Sequence, residues 1–125
     1  MGKYANPGEM KTPVIVEAYT DEKTKNGYSK KVWKNVFGEG KTIRVKWTNV
    51  HGTEVFEAMG LDLKQPATLK TRYSPLITEE CRIIRAADRG KEDQESLYYE
   101  VISIDDIDDA HVQLEIKIQR KRNAK

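Results

Sequence analysis

The sequence predicts an all-β protein, a small antiparallel β-barrel or sandwich of about six strands with a long inter-strand loop and at most one short helix. Two observations support this fold class. Short runs rich in β-branched and aromatic residues alternate between apolar and polar positions, and polar turns separate them at intervals of about 8–12 residues. The chain has 125 residues, of which 38% are hydrophobic and 34% are charged. This composition suits one domain with a modest core, which we expect over residues 12–120.

The first part of the chain predicts an arm, a strand and a turn. Residues 1–11 mix glycine, proline and charges without a period, which is typical of a flexible arm. Residues 13–19 are apolar and β-branched enough for a first strand, since a proline is tolerated where a strand begins. Residues 20–31 are basic and rich in turn residues, and Asn26-Gly27 is the strongest hairpin signal in the chain.

The next part predicts a strand followed by a long connection. Residues 41–48 alternate, which directs Ile43, Val45 and Trp47 toward one face, as in a half-buried strand. Residues 50–63 break the alternation, and a stripe of apolar side chains there is compatible with a short helix that Gly60 ends. The connection from residue 48 to residue 67 is longer than a normal hairpin loop, and such loops are usually functional or disordered.

The second half predicts further strands at residues 67–73, 80–87, 97–104 and 111–119. The last of these alternates most clearly, with Val112, Leu114, Ile116 and Ile118 expected inside and Gln113 expected outside. Residues 88–96 form a polar connection, and residues 105–110 form a tight acidic turn that should join the last two strands into a hairpin. Residues 121–125 are a basic carboxyl-terminal tail that we expect to fray.

The small net charge of +2 hides an uneven distribution. Residues 1–50 carry ten basic and five acidic side chains, whereas residues 88–109 carry nine acidic and two basic ones. Residues 117–125 then add five basic side chains. This alternation suits a surface that meets differently charged neighbours, and it also suits an ordinary solvated surface.

Residues for catalysis or metal binding are scarce, so we expect neither enzymatic activity nor a cofactor. The two histidines, His51 and His111, do not have zinc-ligand spacing from each other or from Cys81. A lone cysteine cannot form an intramolecular disulfide, and it usually behaves as a small hydrophobic residue. No run approaches the roughly 18 apolar residues of a membrane span. We expect a soluble domain made in a reducing cytoplasm, with no membrane partner.

Several segments, in this order, resemble the head-closure, or head–tail joining, family of tailed bacteriophages. The most specific are Thr71-Arg72-Tyr73-Ser74-Pro75-Leu76-Ile77-Thr78 and Tyr99-Glu100-Val101-Ile102-Ser103-Ile104. Others are Asn26-Gly27-Tyr28 with Val32-Trp33, Ile43-Arg44-Val45-Lys46-Trp47, His51-Gly52-Thr53-Glu54-Val55-Phe56-Glu57-Ala58, Cys81-Arg82-Ile83, Asp106-Ile107-Asp108 and Leu114-Glu115-Ile116. The resemblance covers about residues 12–120. The chain departs from the family pattern in its longer amino-terminal arm and in its longer, more acidic connection at residues 88–96.

The resemblance implies a small barrel that is monomeric when free, is made in the bacterial host cytoplasm and is located at the head–tail junction of the virion. There it would join the portal–adaptor complex as a homo-oligomeric ring, usually a dodecamer. The ring would close the DNA channel and present an attachment face to the tail terminator or completion protein. Double-stranded DNA would pass through it without sequence-specific binding. An alternative from the residues themselves is a small oligonucleotide-binding β-barrel that uses Tyr28, Trp33 and the basic run 30–34.

The family implies one group of site residues, and the charge distribution and the chain ends suggest a second. Residues 50–66 would correspond to a loop that projects into the channel, with Glu54, Phe56, Glu57, Met59, Asp62 and Lys64 as its candidate channel residues. The acidic segment 88–95 would face the basic segment 23–34 of an adjacent subunit, and the ends of the chain would contact partners by strand addition. The candidate contact residues are Lys30, Lys31, Trp33, Asp88, Glu92, Asp93, Arg120 and Arg122.

Overall fold

The part of the chain that the structure describes forms seven antiparallel strands, and six of them close into a barrel. The computed structural model describes residues 4–49 and 66–120. The strands are β1 (Thr12–Lys23), β2 (Ser29–Asn35), β3 (Ile43–Asn49), β4 (Ala67–Arg72), β5 (Arg82–Arg85), β6 (Tyr99–Asp106) and β7 (Gln113–Arg120). The only helices in these ranges are short 3-10 turns, none of which has the length and apolar character to cross a membrane. The all-β prediction is confirmed.

The barrel follows the order β1, β3, β4, β7, β6, β5, and β5 pairs back with β1 to close it. Alternation explains the interior, since every second residue of each strand points inward. The buried core contains Val14, Val16, Val45, Ala67, Leu69, Ile77, Cys81, Ile83, Tyr99, Leu114, Ile116 and Ile118. Ile43 and Trp47 pack against this core, as the alternation of their strand predicts. The predicted hairpin of the last two strands is also confirmed.

The long strand β1 belongs both to the barrel and to a two-stranded ribbon that it forms with β2. Its residues Thr12–Val14 pair with β3, and Val14–Glu17 pair with β5. From Glu17 onward β1 pairs with β2. Glu17 faces both Asn35 of β2 and Arg82 of β5, so these two strands lie on opposite edges of β1. Beyond Glu17 the two strands continue as a ribbon, residues 18–35, which we call the projecting hairpin.

The projecting hairpin includes residues for which the sequence predicts only a turn. Strand β1 continues to Lys23 and β2 begins at Ser29, so the turn is confined to the residues around Asn26-Gly27. Gly27 has a φ of 83°, which favours glycine. Opposite charges face each other across the ribbon, with Asp21 opposite Lys31 and Glu22 opposite Lys30. Such cross-strand pairs favour pairing in a ribbon that has no core of its own.

The inward assignment of Val112 and the outward assignment of Gln113 are wrong. Val112 is 51% exposed because β7 begins one residue later, after the β6–β7 turn. Gln113 is 7% exposed because the amino-terminal arm covers it. Its side-chain amide accepts a hydrogen bond from the Ala5 N–H and donates one to the Ala5 carbonyl, both at 2.9 Å. The described part of the arm therefore packs on the barrel, and Ala5 and Met10 are buried.

We predict that the loss of unfolding free energy when a leucine is replaced by alanine depends on how deeply that leucine is buried. Leu69 is fully buried at the centre of the barrel, so Leu69→Ala should lower the free energy of unfolding by about 2–5 kcal/mol. Leu76 is 49% exposed, so Leu76→Ala should change it by less than about 0.5 kcal/mol. Urea unfolding of both variants measures the difference. Equal costs would contradict the position of Leu69 in the core.

We also predict that acid weakens the docking of the arm. The Asn6 N–H and the nearby Lys46 ammonium lower the pKa of Glu9. Because the pKa of Glu9 is lowered when the arm is docked on the barrel, its carboxylate stabilises the docked arm at every pH above the ordinary pKa of a carboxyl. This stabilisation is lost as the pH falls through the lowered pKa. Hydrogen exchange at the Ala5 amide, corrected for its intrinsic pH dependence, should therefore lose protection in acid. Glu9→Gln should reduce protection at neutral pH and remove this pH dependence; unchanged protection in the variant would contradict the role of Glu9.

Candidate interaction surface

A buried cluster of charged and aromatic side chains lies on the outer face of the barrel. Residues 86–98, which we call the covering segment, connect β5 to β6 and contain two 3-10 turns. They pack on the outward-facing residues of β1 and β5. Ile15, Ile84 and Tyr98 form a small second core there, with Leu97 packed against it.

An ion pair between Glu17 and Arg82 lies at the centre of this cluster. The Arg82 Nε and Nη2 atoms both lie 2.8 Å from Glu17 Oε1, and both side chains are buried. The covering segment adds a second arginine, since Arg89 Nη1 lies 2.6 Å from Glu17 Oε2. It also adds a carboxylate, since Glu95 Oε1 lies 3.4 Å from Arg82 Nη1. Each member of the Glu17–Arg82 pair thus has a further charged partner in the covering segment, and such additional bonds are what a buried ion pair requires.

Aromatic rings complete the surroundings of Arg82. Its guanidinium carbon lies 3.7 Å from the ring centroid of Tyr98 and 4.2 Å from that of Trp33. Tyr19 stacks on Trp33, with ring centroids 4.8 Å apart. Burial and the neighbouring Glu17 carboxylate raise the pKa of the Tyr98 phenol. Arg82 therefore links the barrel, the covering segment and the base of the projecting hairpin.

The predicted contact residues of the projecting hairpin differ in their surroundings. Lys30 and Lys31 are exposed. Trp33 is half-buried between its own hairpin and the barrel, where Tyr19 and Arg82 already contact its ring. The hairpin therefore presents lysines to solvent and directs its tryptophan toward the body of the protein.

The charges of the covering segment are partly used within the chain. The Asp88 side chain is mostly buried and pairs with Lys91 at 2.8 Å, whereas Glu92 and Asp93 are exposed. Arg120, at the end of β7, donates a hydrogen bond of 2.7 Å to the Leu97 carbonyl and lies over the ring of Tyr99. Of these four predicted contact residues, Glu92 and Asp93 are exposed to solvent.

The remaining predicted site residues lie outside the described residues. These are the candidate channel residues Glu54, Phe56, Glu57, Met59, Asp62 and Lys64, together with Arg122. The short helix predicted within residues 50–63 lies outside them as well. Within residues 4–49 and 66–120, no three histidine, cysteine or acidic side chains gather into a group that could hold a metal ion.

The buried cluster is not predicted by the sequence. Glu17 and Arg82 occupy outward-facing positions of their strands, where charged residues usually contact solvent. Their contact joins residues 65 positions apart in the chain. The available signal was the pattern itself: Glu17 interrupts an apolar run and Arg82 precedes two isoleucines. Nothing in the sequence shows that the covering segment would bury both.

We predict that the buried Glu17 carboxylate is essential for stability. Glu17→Gln removes the buried negative charge and leaves the buried Arg82 with only the exposed carboxylate of Glu95, which should cost about 3–5 kcal/mol of unfolding free energy. The matched control is Glu22→Gln, because Glu22 is exposed and lies 3.8 Å from Lys34, and it should cost less than about 1 kcal/mol. Chemical unfolding followed by tryptophan fluorescence measures both. Similar costs for the two variants would show that the Glu17 pair is no stronger than a surface pair.

Comparison with one solved structure supports the fold. The solution structure of protein SF1141 from Shigella flexneri 2a superposes with a TM-score of 0.62 at 18% identity, covering 96% of this chain and 100% of that chain. A chain of the virion of a native gene transfer agent particle has a TM-score of 0.49 at 12% identity, covering 90% of this chain and 94% of that chain. No curated protein sequence matches significantly.

Comparison with protein families identifies the chain. The family model described as phage head completion protein matches residues 5–121, which include the arm from Ala5, all seven strands and the covering segment. The match spans most of the chain, so the family resemblance of the sequence is confirmed. The protein belongs to the phage head completion protein family and is a structural protein of the virion head.

Proposed function

We propose that the protein is a non-enzymatic subunit that completes the head by forming a ring of twelve copies beneath the portal–adaptor complex. In this proposal the ring lies at the head–tail junction, closes the DNA channel and carries the attachment face for the tail. The free subunit is a monomer made in the host cytoplasm. Membership of the head completion family carries the proposal, because it makes the protein a partner of other head and tail proteins.

The projecting hairpin supports ring formation. Beyond Glu17, β1 pairs with β2 alone, and β2 pairs with no other strand in the described part of the chain. Each strand of the ribbon therefore has an edge whose backbone groups are available to a neighbour, which suits strand addition. A two-stranded ribbon is marginally stable in water, so packing against another subunit would stabilise it.

Charge supports a head-to-tail contact between subunits. The projecting hairpin exposes Lys30 and Lys31, and the covering segment exposes Glu92 and Asp93. Two different, complementary surfaces on one chain form a heterologous interface, which closes into a ring when the rotation between subunits is suitable. The candidate channel residues within residues 50–66 complete the proposal, in which their carboxylates form a barrier to DNA.

We predict that reversing the charge of the hairpin abolishes ring assembly. Lys30→Glu with Lys31→Glu should prevent stable addition of the protein to a purified portal–adaptor complex, because like charges then face each other. The control is Lys11→Glu with Lys41→Glu, which makes the same change of charge at exposed positions outside the hairpin and should assemble normally. Sedimentation and electron microscopy of the complexes measure assembly.

A charge exchange sharpens this test. A chain that carries the hairpin reversal together with Glu92→Lys and Asp93→Lys restores opposite charges at every interface of a ring, and it should recover assembly. Normal assembly of the hairpin reversal alone would refute the contact. The reversal also places like charges opposite Asp21 and Glu22 within the ribbon, so hydrogen exchange must show that β1 and β2 remain paired in the variant. With the ribbon intact, failure of the exchange variant to recover would place the partner of the hairpin elsewhere.

Oligonucleotide binding has less support. The Trp33 ring contacts Tyr19 and Arg82 within the chain, which reduces the ring surface available for stacking on a base. We expect no saturable binding of a labelled single-stranded oligonucleotide at low salt. Salt-dependent binding that Trp33→Ala abolishes would favour the oligonucleotide-binding alternative over the structural role.

A further inference from the structure

Two arginines on the outer face of the barrel form an unusual like-charge pair. The paired register of β3 and β4 ends with Lys46 opposite Lys70, and the same register continued by two residues brings Arg44 to the position opposite Arg72. The Thr71 hydroxyl donates a hydrogen bond of 3.1 Å to the Arg44 carbonyl, which confirms that the strands remain adjacent there. Like charges that face each other directly across a sheet destabilise it.

The two lysines have counter-ions, whereas the two arginines have none within residues 4–49 and 66–120. Lys46 lies 3.5 Å from Glu9 of the arm, and Lys70 lies 4.0 Å from Glu115 of β7. Among residues 4–49 and 66–120, no carboxylate lies within ion-pair distance of Arg44 or Arg72, and both side chains are exposed. The pair therefore presents two positive charges for which this part of the chain provides no compensation.

The same arginines line an apolar cavity of about 390 Å³. Met10, Phe37, Ile43 and Ile77 contribute to its walls beside Arg44 and Arg72. This volume is large enough for one large aliphatic or aromatic side chain. Apolar walls with a few convergent polar groups are typical of ligand sites, in which the polar groups fix the orientation of the ligand.

Exposed apolar side chains extend the surface beyond the cavity. Leu76 is half-exposed and lies between the lining residues Ser74 and Ile77. Val112 is equally exposed, and its carbonyl accepts a hydrogen bond of 2.9 Å from the N–H of the lining residue Tyr73. An apolar surface that continues past the mouth of a cavity suits a polypeptide better than a small molecule.

We propose that this site binds an extended peptide segment of another virion protein in which an aliphatic residue adjoins an acidic one. The aliphatic side chain enters the cavity, and the carboxylate lies between Arg44 and Arg72, whose planar guanidinium groups suit it. The assignment of this peptide segment to another virion protein rests on the proposed function. A nucleic-acid backbone fits less well, because it offers phosphates to the arginines but no apolar group to the cavity.

The test is a titration of the full-length ¹⁵N-labelled protein with the peptide acetyl-Gly-Leu-Glu-Gly-amide, followed by NMR chemical shifts. We expect saturable shifts at Ile43, Tyr73 and Ile77. A peptide with glutamine in place of glutamate, and one with serine in place of leucine, should each bind about tenfold more weakly. These comparisons use the unaltered protein, so they do not depend on the folding of a variant.

Substitutions then identify the carboxylate partners. Arg44→Gln with Arg72→Gln should weaken binding of the leucine–glutamate peptide about tenfold or more and should not reduce the melting temperature, because it relieves a repulsion. The control, Lys23→Gln with Lys25→Gln, removes the same charge from the tip of the hairpin and should bind normally. Equal weakening by both double variants would overturn the proposal, since it would indicate nonspecific attraction.

Two further outcomes also overturn the proposal. The first is equal binding of the glutamate and glutamine peptides. The second is that a short DNA duplex shifts the resonances of the same residues, while the peptide shifts none of them. In this outcome the shifts with DNA are absent in the arginine double variant. Neither outcome bears on ring formation, which is measured separately with the Lys30 and Lys31 variants. Failure of this site is therefore distinguishable from failure of the proposed function.

Discussion

The buried ion pair between Glu17 and Arg82 is the interaction on which the other parts of the structure depend. Burial of two charges carries a large desolvation cost, which is offset only when every charged atom has good partners. Arg89, Glu95 and the rings that flank Arg82 are those partners, and they come from the covering segment and the projecting hairpin. The pair also marks the point where β1 leaves the barrel. The closure of the barrel, the position of the covering segment and the base of the hairpin are therefore coupled at one place.

The antiparallel topology separates the connections into two groups at opposite ends of the barrel. The projecting hairpin, the β4–β5 connection and the β6–β7 turn leave at one end. The end of β3, the start of β4 and the end of β7 lie at the other, and the covering segment packs on the outer face of the barrel. The arginine pair lies on the outer face, beside the first end. A subunit built in this way offers different chemistry at each end and on its side, as a subunit with several different neighbours requires.

Local patterns predicted those parts of the fold that local contacts determine. In β3, and in β7 from Leu114 onward, apolar and polar residues alternate because one face of each strand is buried. The sequence pattern therefore predicts these strands directly. The Asn26-Gly27 turn follows from the backbone freedom of glycine. The burial of Gln113 was not predictable, because it depends on the arm, whose contact with Gln113 joins residues 108 positions apart. The exposure of Val112 depends on the residue at which β7 begins. The pairing of Glu17 with Arg82 escaped prediction for the same reason, since an outward-facing charge looks solvent-exposed until the segment that covers it is known.

The branched pairing of β1 has a consequence for the order in which the chain folds. The pairs between β1 and β2 are local, whereas the pairs that close the barrel between β1 and β5 join residues about 65 to 71 positions apart. Contacts close in sequence form earlier, because less chain entropy is lost in closing short loops. The hairpin is thus able to form while β5 is still being synthesised. Its exposed Lys30 and Lys31 then disfavour pairing with the like-charged hairpin of another nascent chain during that interval.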